Sequence, residues 1–195
     1  MFDGTKLSAY DETDALNPVS VYGKTKLAGE DLIRAVGLPH LILRTSWVYG
    51  AYGKNFLKTI LRLAFEREKI SIVADQVGAP TSSTCIADAV IKLIDSWDPN
   101  QINSTGVYHL TNSNNTSWHG FSTEIINQYT NLALAQHWPA LKVAEIAAIA
   151  TADYPTAATR PANSILNNAK LFDTFGIKLP TWQNGLHRVM QEIKL

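Results

Sequence analysis

The chain has 195 residues, 46% of them hydrophobic and 17% charged, which suits a soluble globular protein with one core or a core and a half. Seventeen basic residues balance seventeen acidic ones and no basic run occurs, so neither nucleic acid nor a membrane surface is an expected partner. Cys85 is the only cysteine, which excludes an internal disulfide and a cysteine-based metal site; no apolar run is long enough to cross a bilayer, and a cytoplasmic protein is expected.

Residues 1–16 are turn-like and acidic and are expected to form a solvated loop. A helix follows over residues 18–36, with Asn17 as cap, Pro18 in the first turn and Gly37 as a left-handed stop. Residues 40–44 suit a buried parallel strand, and residues 45–54 form the loop at its C-terminal end, where ligands bind in open α/β sheets. A helix from Asn55 to about residue 64, a strand over 70–73 and a Gly/Pro loop over 75–81 come next. Residues 84–97 form a helix expected to turn Ala87, Val90, Ile91 and Ile94 inward, with Cys85 as a small buried side chain. A strand over 106–110 precedes a helix capped by Ser117 that runs to about residue 136. The remainder alternates a short strand, a loop over 154–164 and two helices, the last capped by Thr181. His109 and His119 lack a second histidine at ligand spacing and are taken as structural.

On the first helix, Tyr22, Lys26 and Gly29 fall at i, i+4 and i+7, so a phenol and an ammonium share a face above a residue with no side chain. Such a pair can act as an acid–base unit, because a nearby cation favours a phenolate and eases proton exchange with a ketone oxygen. The same spacing also occurs as a surface tyrosine beside a solvated lysine. No Gly-rich strand–turn–helix able to hold a pyrophosphate is present: Gly50 and Gly53 have the right first interval, but Phe56 stands where the third glycine belongs.

Tyr22-Gly23-Lys24-Thr25-Lys26-Leu27-Ala28-Gly29-Glu30, Arg44-Thr45-Ser46-Trp47-Val48-Tyr49-Gly50 and Asp75-Gln76-Val77-Gly78-Ala79-Pro80-Thr81 follow one another in order. Tyr154-Pro155-Thr156 and Arg160-Pro161-Ala162-Asn163-Ser164 come later. Together they resemble the dTDP-4-dehydrorhamnose reductases of the extended short-chain dehydrogenase/reductase superfamily. The resemblance covers nearly the whole chain but only part of the family's length, starting after the position of its catalytic Ser or Thr and lacking its nucleotide-binding half.

The resemblance implies an α/β fold: part of a Rossmann-like doubly wound parallel sheet with a small C-terminal α/β substrate-binding lobe. Residues 1–110 would form the C-terminal part of the first, interleaved with substrate-binding segments, and residues 111–195 would be mainly the sugar-nucleotide-binding lobe. It implies reduction of the C4 ketone of dTDP-4-dehydro-L-rhamnose by NADPH or NADH for cell-surface polysaccharide. Tyr22 would be the proton donor, and Lys26 would support it and hold the nicotinamide ribose. Trp47 would line the sugar site with its ring face, and Asn55, Gln76 and Arg160 would contact the nucleotide diphosphate. Thr84 stands where some members carry an acidic residue that helps hold a bridging Mg2+ at a dimer contact; being uncharged, it argues against that metal here. A homodimer, or association with an N-terminal half, is implied, and without that half the strands would leave an apolar, unpaired edge. The alternative is a non-catalytic sugar-nucleotide-binding or regulatory module of the same superfamily.

Overall fold

The computed structural model describes residues 1–101, 104–154 and 160–193. The helices are α1 (Val21–Ala35), α2 (Phe56–Glu66), α3 (Ser83–Ser96), α4 (Trp118–Gln136), α5 (Ala169–Phe175) and α6 (Trp182–Glu192), with a 3-10 turn at Thr151–Asp153. The strands are β1 (Leu41–Arg44), β2 (Val48–Tyr49), β3 (Lys69–Val73), β4 (Val77–Gly78), β5 (Thr81–Ser82), β6 (Gly106–His109), β7 (Thr116–Ser117) and β8 (Glu145–Ile149). Parallel pairs β1–β6, β2–β5 and β3–β8 are joined by crossovers that contain helices, while β4 and β7 pair antiparallel. Parallel pairing with helical crossovers is the expected α/β, Rossmann-like organisation.

Two cores hold these elements. One gathers α2, α4 and α6 around Leu57, Ile60, Phe121, Ile125, Leu186 and Met190. The other lies between α3, β6 and α5, around Cys85, Leu93, Tyr108, Leu110 and Leu171. Each core draws on residues from both sides of residue 110, because β3 pairs with β8 and α5 returns to β6.

The caps of α2 (Asn55), α4 (Ser117) and α6 (Thr181) are those expected, each accepting a backbone N–H from the first turn. Helix α1 differs: it starts three residues later, with Ser20 Oγ accepting from the Gly23 N–H. Asn17 is drawn away to Asp3, and Pro18 folds back over Gly23, where an added Cβ would lie 2.9 Å from its Cβ. Helix α3 also departs from expectation. Its inward stripe is Cys85, Ala89 and Leu93, while Ile91 and Ile94 are exposed. The Cys85 stripe meets β6 and α5, with Ile86 and the expected Val90 partly buried against the same core, while Ala87 is exposed.

The N-terminal loop is not a solvated one. Tyr10 is 4% exposed, stacks on Phe2 and forms a bridge to Leu166. The His109 N–H donates to Glu12 at 2.8 Å, and Asn163 Nδ2 donates to the carbonyls of Lys6 and Ser8. Partners 97 and 155 or more positions away, invisible to local patterning, pull this acidic stretch into the fold.

Candidate active site

Tyr22 lies in the first turn of α1 and is 71% exposed. Lys26, one turn on, places its Nζ 5.4 Å from the centre of the Tyr22 ring. At Gly29 an added Cβ would meet nothing within 4 Å, so the face carrying both groups is open. A turn beyond Lys26, Glu30 is buried and accepts two bonds from Arg44, 2.9 Å from Nε and 2.7 Å from Nη2, and one from Arg34 at 2.5 Å. A forked guanidinium–carboxylate pair has one strongly preferred geometry, so Glu30 registers the Tyr22–Lys26 face against the C-terminal end of β1.

Directly after β1 comes Trp47, half-buried and held at φ 50°, a left-handed conformation uncommon for a bulky residue. Its indole stacks on Trp118 with ring centres 3.5 Å apart and planes 8° from parallel. A Cβ placed on Gly78 would fall 2.5 Å from Trp47 Cε2, 2.8 Å from Nε1 and 2.9 Å from Cζ2. Being nearest to Cε2 and nearly equidistant from its two ring neighbours, that point stands above the ring plane; beside the ring it would lie closer to the neighbours. No Trp118 atom comes nearer to it, so Gly78 and Trp118 cover opposite faces. Trp118 therefore stacks on one face of Trp47, and Gly78 approaches the other so closely that no side chain fits there.

Asn55 and Gln76 both hold loops in place. Asn55 caps α2 with Oδ1 and donates Nδ2 to the Gly50 and Tyr52 carbonyls, bracing the loop after β2. Gln76 is buried and donates to Thr151 Oγ1 at 3.0 Å, while the adjacent Asp75 accepts the Thr151 N–H and hydroxyl. Those bonds hold the Asp75 carboxyl below the usual carboxylate range. Arg160 is exposed, and the segment after it runs beside β4, with the Val77 N–H donating to Ala162 and the Ser164 N–H to Val77. The 75–78 loop and the Arg160 segment are thus one unit. Pro155 and Thr156 of the expected motif lie outside the described residues.

His109 and His119 are engaged by the fold. His119 Nε2 lies 3.0 Å from the Ile146 carbonyl, and His109 is fully buried with Nδ1 3.2 Å from the Asn167 carbonyl. Burial holds the His109 ring below the usual histidine range, against the opposing pull of Glu12. Among the described residues no three His, Cys, Asp or Glu side chains gather as a metal would need, and no helix is long and apolar enough to cross a membrane. Trp118, Gly78 and the Glu30–Arg44 pair were not singled out in the sequence. Trp118 follows a helix cap and Gly78 sits in a loop, so neither carries a periodic signal; only their meeting with Trp47 marks them.

Parallel strands with helical crossovers define a Rossmann-type α/β protein, here with a Tyr–Lys pair on an open helix face. The family described as RmlD substrate binding domain matches residues 1–195, and the chain belongs to it. It is similar to the dTDP-4-dehydrorhamnose reductase of Burkholderia thailandensis, 46% identical over 196 residues that cover 99% of this chain and 65% of the relative. The corresponding reductase of Aggregatibacter actinomycetemcomitans is 41% identical over 97% of this chain and 63% of its own length. Among solved structures, the Bacillus anthracis dTDP-4-dehydrorhamnose reductase in complex with NADP superposes with a TM-score of 0.84 at 36% identity, over 98% of this chain and 62% of that one. The Clostridium acetobutylicum reductase gives a TM-score of 0.85 at 34% identity, with the same coverage. The chain spans less than two thirds of the length of these relatives.

Proposed function

We propose that this chain is the sugar-nucleotide-binding and proton-donating part of a dTDP-4-dehydrorhamnose reductase, acting in the cytoplasm in the synthesis of dTDP-L-rhamnose for cell-surface polysaccharide. The observation that carries the reading is the open α1 face, on which Lys26 lies 5.4 Å from the Tyr22 ring. Tyr22 gives its phenolic proton to the C4 oxygen as that carbon is reduced. Lys26 keeps a positive charge beside the phenol and offers donors to the ribose next to the nicotinamide. When bound, NADPH or NADH supplies the hydride. The residues here fit only the nicotinamide-ribose end of that cofactor. Gly50 is packed against Ser83, where a Cβ would lie 2.4 Å from its Oγ, so the 50–53 loop is no phosphate cradle. The pyrophosphate holder belongs to the part of the relatives' length that this chain does not span. Arg160, exposed beside the 75–78 loop, would meet the nucleotide diphosphate with its forked donors.

The test joins this chain to the N-terminal segment of the Burkholderia relative and follows reduction of dTDP-4-dehydro-L-rhamnose. Tyr22→Phe is expected to lower kcat by about 10²–10⁴ with little change in KM, the usual contribution of a positioned acid. Lys26→Met is expected to lower turnover and weaken cofactor binding together. A joined protein that binds the sugar nucleotide but turns nothing over would favour the binding-module reading, and an unchanged kcat in Tyr22→Phe would remove Tyr22 from the chemistry.

A further inference from the structure

The segment that carries Arg160 is fastened at two points, one by close contact and one by hydrogen bonds. Pro161 fixes its own φ and pushes the residue before it into extended backbone, so the direction of Arg160 follows from where the Pro161 ring sits. That ring sits on Gly4. A Cβ added to Gly4 would lie 2.4 Å from Pro161 Cβ, and Gly4 holds φ 84°, so neither the space nor the backbone suits a side chain there. Two residues beyond Pro161, Asn163 is 6% exposed and commits both amide hydrogens to the same loop, its Nδ2 donating to the Lys6 carbonyl at 2.7 Å and to the Ser8 carbonyl at 2.8 Å. Its Oδ1 accepts the Ile165 N–H at 2.9 Å. We infer that Gly4 and Asn163 are positioning residues for Arg160: they lock residues 160–164 onto the 4–8 loop, so that the guanidinium meets the diphosphate of a sugar nucleotide from a fixed seat. The inference rests on the sugar-nucleotide reading above and names what holds its anion-binding group.

The seat is stiff because the loop beneath it is itself braced. Tyr10 Oη donates to Asp3 Oδ1 at 3.0 Å and accepts the Lys6 N–H at 3.1 Å, while the Tyr10 N–H donates to the Ile165 carbonyl and the Asn167 N–H to the Tyr10 carbonyl, both at 2.8 Å. Leu7, between the two carbonyls that Asn163 holds, is fully exposed, so burial of its side chain does not anchor the loop tip. The backbone at Asn163 also bridges Val77, which joins the 75–78 loop to the same knot. Arg34, Arg44, Arg62 and Arg188 each pair with a carboxylate, whereas Arg160 pairs with none among the described residues, so an arriving anion has no carboxylate to displace. A guanidinium offers forked donors that match phosphate oxygens, and holding its backbone beforehand reduces the freedom lost on binding.

The test titrates the joined protein calorimetrically with dTDP and, separately, with NADPH. Arg160→Ala should weaken dTDP binding by about 10–150-fold, the worth of hydrogen bonds to a charged group, and leave NADPH unchanged. Asn163→Ala should weaken dTDP several-fold, again sparing NADPH, and should weaken it no further in the Arg160→Ala background. Such a double-mutant cycle separates positioning from general damage to the fold, which would add to the loss of the arginine. Pro161→Ala leaves the Asn163 bonds in place but frees the Arg160 backbone, and it should show the same dependence on Arg160; it decides the matter if Asn163→Ala does not fold. If the folded variant binds dTDP like wild type, or loses as much affinity without Arg160 as with it, this inference falls and the sugar-nucleotide reading stands. If Arg160→Ala binds dTDP like wild type, the role of Arg160 falls and takes the inference with it. A wild type that binds NADPH but no dTDP would overturn the sugar-nucleotide reading itself.

Discussion

Helices α1 and α2 are packed in opposite ways. The 11 residues of α2 bury Leu57, Ile60, Leu61 and Ala64 against α4 and α6, whereas the 15 residues of α1 bury only Gly23 and Glu30. Val21, Leu32 and Val36 of the α1 segment are 78%, 71% and 65% exposed. One helix is held by apolar area, the other by a charged fork between Glu30 and Arg44. The difference teaches where chemistry can sit: a face that offers a phenol and an ammonium to a ligand cannot also be the face that packs, so α1 is anchored at one buried point and left open elsewhere.

The comparison is broken most severely from the α2 side. Phe121 is fully buried at the centre of the α2–α4–α6 core, and Phe121→Ala should cost about 3–5 kcal/mol in chemical denaturation. On the other side, Glu30→Ala strands the Arg44 guanidinium, which is 6% exposed and already has one unpaired buried nitrogen. Removing one partner of a buried pair costs about 3 kcal/mol or more. Hydrogen exchange should then show α1 opening while α4 keeps its protection; equal loss in both would mean that the helix does not rest on that fork.

A pH titration sharpens the contrast. His109 is kept neutral by burial, with its folded pKa below the ordinary value of 6.5, so the folded and unfolded states bind the same number of protons above that pH. Below it the unfolded chain takes up a proton that the fold refuses, and stability falls as pH drops, by up to about 1.4 kcal/mol per pH unit for one proton. Thermal melts between pH 6.5 and 5 should show this slope, and His109→Gln should flatten it. Asp3, whose carboxyl is lowered to about 2, contributes only at more acid pH. The smallest effect belongs to Leu32→Ser. A 71% exposed side chain should shift stability by no more than about 0.5 kcal/mol, yet the change should reduce binding of a hydrophobic dye to the chain. Unaltered dye binding would place the chain's sticky surface elsewhere.

Much of the fold was legible in the sequence by itself. The caps Asn55, Ser117 and Thr181, the left-handed stop at Gly37, the parallel strands and the helical spacing of Tyr22 and Lys26 all follow from local chemistry within four residues, which is what periodicity and capping rules read. Tertiary structure decided the rest, because the controlling partners are far apart in the chain. Glu12 reaches His109 across 97 positions, and Gln76 is tied to Thr151 across 75. The inward face of α3 was set by what β6 and α5 offered it and not by which of its residues are most apolar. Trp47, expected to line a sugar site with its ring face, is stacked on Trp118 and closely approached by Gly78, residues 71 and 31 positions away that the β4–β7 pairing brings together.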